Sequence, residues 1–318
     1  MGALTLLITG ATGYVGRATV AEARARGHRV VAVTRNAAAI PADWQADSGI
    51  EVLECDLSEG TGLAPACAAA DVVLHLAASM TGDAAAHARD TLAATKRLLA
   101  AMPADGRLVL LGSIAVYDMG RATAGDMITE ATPLLEDDSP ADTYARSKRA
   151  QERLVQASNI AQTILRAGAI FGPGRLWNAH VGLRVGGGVV RMASGGQIPL
   201  VHIATCTKAL VNAAEQPAQA QINLIDEDLP DRKRFLAALV PAPRFVLPLN
   251  WRWVLPLGWL AARMRGEDRL PGLLRPALLR ARFLPVSYDN SRMRAALGLR
   301  QPQGFEALMH AAQDGDKA

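Results

Sequence analysis

The run Leu6-Leu7-Ile8-Thr9-Gly10-Ala11-Thr12-Gly13-Tyr14-Val15-Gly16 constrains this chain more than any other stretch. Its first four residues are apolar or β-branched and read as a buried strand. From Tyr14 to Arg26 the chain is rich in Ala, Val, Glu and Arg, and reads as a helix that ends at Gly27. A strand passing through glycines straight into a helix leaves backbone N–H groups free at the helix start. Those groups, with the positive end of the helix dipole, suit a phosphate or pyrophosphate. Glycine is needed where the backbone turns sharply or touches such a ligand. A plain glycine-rich turn looks the same in isolation, so the surrounding pattern decides.

That pattern is a regular alternation. Strands are predicted at Leu4–Thr9, Arg29–Thr34, Ile50–Cys55, Val72–Leu76, Leu108–Gly112 and Ala161–Leu165, with helices at Tyr14–Arg26, Thr91–Met102 and Thr143–Ser158. This spacing predicts an α/β fold with a doubly wound parallel sheet. The glycine loop then lies at the carboxyl end of the first strand, where such sheets bind ligands, and a dinucleotide becomes the expected ligand. The rhythm breaks at Gly172, and "INLI" at 222–225 suggests a return to the sheet. We therefore expect a Rossmann cofactor domain over 1–171, with a return segment at about 201–226. Residues 172–200 and 227–318 would form mainly a smaller, discontinuous substrate lobe.

Composition narrows the partners. The net charge of +4 over 318 residues argues for no nucleic acid. Its distribution is uneven: Asp231 to Arg300 holds 14 Lys or Arg against 4 Asp or Glu. A basic lobe can meet an anionic substrate, a cofactor phosphate or a membrane surface, or can simply be a solvated face. Cys55, Cys67 and Cys206 are far apart, with no disulfide framework and no paired metal spacing. No metal site is expected. No leader or myristoylation pattern precedes the first strand, which leads us to expect a cytoplasmic enzyme.

"TYARSKRAQERL" places Tyr144 and Lys148 four apart, on one helical face. A lysine there can lower a phenol's pKa and fit it for proton transfer. "RLVLLGSIAVYD" places Ser113 after an apolar strand, where its hydroxyl can bind a substrate oxygen. Together with the TGxxGxxG spacing, these residues resemble the extended branch of the short-chain dehydrogenase/reductase superfamily over nearly the whole chain. "ECDLSE", "LHLAAS", "LRAGAIFGPG" and "LVHIATCTKALVNAAEQ" resemble further family signatures.

The resemblance implies that Tyr144 exchanges the proton with the substrate. Lys148 would lower its pKa and hold the nicotinamide ribose, and Ser113 would orient the substrate. It implies cofactor contacts from Thr9, Gly10, Thr12, Gly13, Tyr14, Val15, Gly16, Thr34, Arg35, Asp56, Leu57, Leu76, Ala77 and Ala78, and a homodimer. NAD-preferring members close the second strand with an acid. Thr34 and Arg35 stand there instead, so NADP(H) is expected, with NAD(H) also compatible.

Ile114 and Ala115 follow Ser113, where dehydratases of the family carry an acidic pair. Ala169 stands where nucleotide-sugar 4-epimerases carry Asn. The pattern is nearest to 3β-hydroxysteroid-dehydrogenase-like and ketone-reductase members. It implies reversible ketone reduction on a mostly apolar molecule. A 4-epimerase with bound NAD and a non-catalytic NADP(H) sensor or scaffold are the alternatives. His202-Ile203-Ala204-Thr205 and Thr91-Leu92-Ala93-Ala94-Thr95 depart from the family's pattern, and His202 reads as structural.

"FVLPLNWRWVLPLGWLAARM" (245–264) is about one bilayer thickness long. Arg252, Pro248 and Pro256 argue against a spanning helix. A buried or substrate-facing helix is the first expectation. The second is an interfacial helix flanked by Arg263, Arg265 and Arg269, making a peripheral membrane contact.

Overall fold

A computed structural model describes residues 2–60, 62–79, 83–216, 218–266, 270 and 272–315. The apolar runs become strands β1 (Thr5–Thr9), β2 (Arg29–Thr34), β3 (Ile50–Glu54), β4 (Val72–His75) and β5 (Arg107–Ser113). After a short β6 (Met127–Ile128) come β7 (Ala161–Ala167), β8 (Ala169–Phe171), β9 (Gly182–Val185) and β10 (Gly188–Arg191). The last four strands are β11 (Leu200–His202), β12 (Gln221–Leu224), β13 (Val246–Pro248) and β14 (Ser287–Tyr288). Seven of these build one parallel sheet in the order β12-β7-β5-β4-β1-β2-β3. The order reverses beside β1, so a crevice opens between the carboxyl ends of β1 and β4.

Both faces of the sheet are covered, which is why its central strands read as unbroken apolar runs. Successive side chains point to opposite faces. Leu6 and Ile8 pack on one side with Val20 of α1 (Tyr14–Ala25) and Leu210 of α7 (Ile203–Glu215). Leu7 packs on the other with Leu63 of α3 (Leu63–Ala69), Leu98 of α5 (Ala94–Ala101) and Val155 of α6 (Thr143–Gln156). The short α2 (Ala42–Ala46) contributes Trp44 to the first side. The helix predicted at Thr91 begins earlier, with α4 (Ala84–His87), and runs through a wide π turn at Ala88–Ala93 before α5. Thr95 Oγ1 donates to Thr91 O (2.7 Å) across that turn.

The remaining elements gather over the carboxyl edge. β13, β10 and β9 form a three-stranded sheet, β11 pairs with β8, and β14 pairs with β6. Helices α8 (Arg232–Ala237), α9 (Trp251–Arg265), α10 (Pro276–Phe283) and α12 (Phe305–Gly315) complete this part. α11 (Ser291–Leu297) goes back to the sheet layer. Its Met293 and Leu297 join the α1–α7 core, and Asn212 Nδ2 donates to Leu297 O (2.7 Å).

The Phe245–Met264 segment meets its first expectation on one side only, where Trp251, Val254 and Leu255 pack inward. It is the strand β13 followed by α9, and much of its apolar surface lies in water. No helix among the described residues is long and apolar enough to cross a membrane. Arg269 lies outside the described residues, as does the Arg265 side chain.

Candidate active site

The glycine loop is shaped by contacts that allow no side chain. Gly10 has φ +67°, and a Cβ there would stand 3.0 Å from the Ala77 amide nitrogen. A Cβ on Gly16 would stand 2.1 Å from the Gly10 carbonyl oxygen. The three glycines let β1, the loop and α1 close tightly against the end of β4. α1 starts after Gly13 with no side-chain cap and no acid in its first turn. That turn lines a cavity of about 870 Å³. An uncapped helix start over a cavity fits a dinucleotide pyrophosphate.

Every predicted cofactor contact except Thr9 lines this cavity. Thr9 is a correction: it is fully buried behind the loop. Its Oγ1 accepts from the N–H groups of Leu76 and Ala77 (3.2 Å each), so its own proton goes to His75 Nδ1 (2.8 Å). The His75 proton then sits on Nε2 and is donated to Thr95 Oγ1 (2.8 Å). Gln151 Nε2 donates to the same oxygen (3.0 Å), while Gln151 Oε1 accepts from Lys148 Nζ (2.9 Å). A buried polar chain thus links the glycine-loop strand to the lysine. Burial, with the nearby Lys148 charge, pushes His75 down to about 3, so this imidazole stays neutral.

Ser113, Tyr144 and Lys148 share one wall of the cavity. Ser113 ends β5, and Asp142 caps α6 by accepting from the Ala145 N–H (2.8 Å), which sets the helix carrying the other two. Lys148 Nζ also donates to Leu111 O (2.9 Å). Burial pushes its pKa down to about 8, and Glu152 holds it up. The lowering of the Tyr144 pKa expected from the Tyr144–Lys148 spacing is not what the structure shows. Burial pushes the phenol up, a hydrogen bond with Ser113 pulls it back, and Asp142 pushes it up again. The physical reason is that the lysine ammonium is engaged with Leu111 and Gln151. Tyr144 is therefore a protonated phenol at neutral pH.

Gln151→Leu should leave Lys148 Nζ with one protein acceptor fewer and lower its pKa further. A hydrogen bond to a charged group contributes about 1.5–3 kcal/mol, so the alkaline limb of the pH–rate profile should move down by about one unit or more. An unmoved limb in kcat/KM would contradict the link.

The far rim carries charge. Arg89 holds Asp90 through two hydrogen bonds of 2.9 Å each, while Arg35 stands 4.0 Å from Asp90 and is 70% exposed. Asp56 Oδ1 accepts from the Ser58 N–H (2.8 Å). At the other end, the walls are largely apolar: Ile170 comes from the quoted signature after the lysine helix, Leu255 and Trp259 from the apolar 245–264 segment, and Leu135 and Leu278 from stretches no motif marked. Ala169 presents only a methyl there. Arg282 also lines this end, and burial pushes its pKa down against the pull of Asp142. It makes no ion pair with a described residue. His202 caps α7, its Nδ1 accepting from the Ala204 N–H (3.3 Å), and packs edge-on against Phe171 away from the cavity.

Sequence reasoning passed over the groups behind the site. Gln151 and Glu152 lie three and four residues past Lys148, so the same helical face argument that paired Tyr144 with Lys148 would have marked them as inward-facing. Glu152 is fully buried and receives Arg166 Nη2 (2.5 Å) and Nε (3.2 Å).

The comparisons with known proteins agree with this geometry. The NAD dependent epimerase/dehydratase family matches residues 6–226. A 3-diazoavenalumate denitrifying reductase from a Streptomyces species is 30% identical, over 84% of this chain and 93% of its own. A 2-alkyl-3-oxoalkanoate reductase from Stenotrophomonas maltophilia is 26% identical, over 85% of this chain and 88% of its own. Among solved structures, MoeE5 with UDP-glucose and NAD has a TM-score of 0.70 at 20% identity, covering 99% of each chain. The Bacillus cereus UDP-glucuronic acid 4-epimerase with NAD has a TM-score of 0.69 at 18% identity, with the same coverage of both chains. These two show the fold. The chain belongs to the NAD-dependent epimerase/dehydratase family and is an NAD(P)-dependent enzyme of the extended short-chain dehydrogenase/reductase type.

Proposed function

We propose that this enzyme interconverts a ketone and a secondary alcohol on a mostly apolar small molecule, with NADP(H) as its cofactor. The observation that carries the reading is the wall that Ser113, Tyr144 and Lys148 share, in a cavity whose far end is largely apolar. A bound nicotinamide supplies or accepts the hydride. The chain does the rest. The Ser113 hydroxyl orients the carbonyl oxygen. Tyr144 donates its proton to that oxygen as the alcohol forms, and takes it back in the reverse direction. The Lys148 ammonium, fixed by Leu111 O and Gln151 on the same wall, is placed to hold the nicotinamide ribose.

Arg282 suits a substrate that also carries an anionic group. The oxoalkanoate named for the Stenotrophomonas relative carries a ketone and a carboxylate on an alkyl body. A panel of apolar ketones and 3-oxo acids, with NADPH oxidation as the readout, tests the reading. Oxidation with any member supports it, and NADPH left intact with all of them opposes it.

Arg35 supports the choice of NADP(H), because its guanidinium stands exposed on the cavity rim with Asp90 already held by Arg89. Arg35→Asp should weaken NADPH about 10- to 100-fold more than NADH, the loss of a charge-assisted pair of about 1.5–3 kcal/mol. Equal weakening of both, measured by fluorescence titration, would refute the contact.

A further inference from the structure

Helix α9 turns its apolar stripe outward. Trp253, Pro256, Leu257, Leu260 and Met264 recur at i, i+3, i+4, i+7 and i+11, and all five are exposed, Trp253 and Met264 at 76% each. Its inward face uses Trp251, Val254, Leu255 and Gly258. Gly258 allows close packing, since a Cβ there would stand 2.7 Å from the Leu274 carbonyl oxygen. The chain before the helix extends the patch: Phe245, Val246 and Leu247 are 41%, 40% and 55% exposed. Soluble monomers seldom expose a contiguous apolar surface of this kind without a use for it.

Charge says what meets it. From Val240 to Gly266 the sequence holds four arginines and no carboxylate. Arg252 and Arg263 stand exposed beside the stripe, and Arg244 stands exposed before the strand. A second copy docking on this face would bring its own arginines against these. An anionic surface neutralises them. Tryptophan, leucine and methionine beside arginine on one short helix suit the boundary between lipid headgroups and acyl chains. Trp259, on the same helix, is both exposed and part of the cavity wall.

We propose that α9 and the strand before it dock the enzyme on anionic phospholipid, laying the cavity mouth at the lipid surface. An apolar substrate dissolved in the membrane then reaches the cavity without crossing water.

Flotation of the full-length protein with phosphatidylglycerol–phosphatidylcholine vesicles, against pure phosphatidylcholine, tests this. The wild type should bind the anionic vesicles and be released by salt. Leu257→Glu with Leu260→Glu, and separately Arg252→Gln with Arg263→Gln, should each reduce binding about tenfold or more. None of these residues lines the cavity, so NADPH binding and melting temperature check that the variants fold. Absence of binding to anionic vesicles overturns the proposal. So does vesicle binding that survives the glutamate pair. A wild-type dimer that the glutamate pair dissociates, with no vesicle binding, assigns the face to a second copy instead and also overturns it.

Discussion

Replacing Tyr144 with Phe should lower turnover by roughly 10²- to 10⁴-fold while leaving cofactor affinity nearly unchanged. The substitution removes one hydroxyl. The ring still fills its half-buried place near His87, 6.4 Å away edge-on, and the glycine loop is untouched. What disappears is the proton that must reach the substrate oxygen beside Ser113. A drop in kcat with an unchanged cofactor Kd is the expected pattern. Turnover that survives would remove Tyr144 from the chemistry. An equal fall in cofactor affinity would make its role structural.

The second large effect concerns stability. Glu152→Leu should destabilise the fold by about 3–5 kcal/mol, because it strands a buried guanidinium. Arg166 is 2% exposed and Glu152 fully buried, and they meet through two hydrogen bonds. Arg166 Nη1 also donates to Tyr117 Oη (3.1 Å), which donates to Asn223 Oδ1 (2.5 Å). The pair thus ties α6, which carries Tyr144 and Lys148, to β7 and β12. The double variant Glu152→Leu with Arg166→Met removes both charges and should recover much of the loss. Urea unfolding of the single and double variants measures the coupling. Additive losses would show that the pair does not act as a unit.

The sheet was legible because its strands are buried on both faces and so appear as continuous apolar runs, as at Leu6–Thr9 and Arg29–Thr34. The glycine loop was legible because Gly10 and Gly16 have no room for a Cβ. Strand ends shifted by a residue or two, since a ladder of hydrogen bonds rather than side-chain character ends a strand. Thr9 was misplaced for a related reason. Motif position put it beside the cofactor, yet its hydroxyl is taken by Leu76, Ala77 and His75 on the neighbouring strand. The pKa of Tyr144 depended on where the lysine ammonium points, which spacing along a helix does not fix. The apolar segment after Phe245 could not be oriented from hydropathy alone. Only packing of Trp251, Val254, Leu255 and Gly258 shows that the stripe through Trp253 and Leu260 is the one left in water. The apolar 245–264 segment announced a substrate-facing helix, which supplies Leu255 and Trp259, but no local pattern announces Leu278 or Arg282.

Nucleotide released from the purified, denatured protein, with exchange of any bound nucleotide against added NADPH, tests the account most directly. An enzyme that takes up and discharges its cofactor each turnover should yield little nucleotide, or NADP(H) that exchanges freely. Near-stoichiometric NAD⁺ that resists exchange would contradict the account. It would mark a cofactor retained between two half-reactions, as a nucleotide-sugar epimerase requires, and would remove Arg35 as a selector.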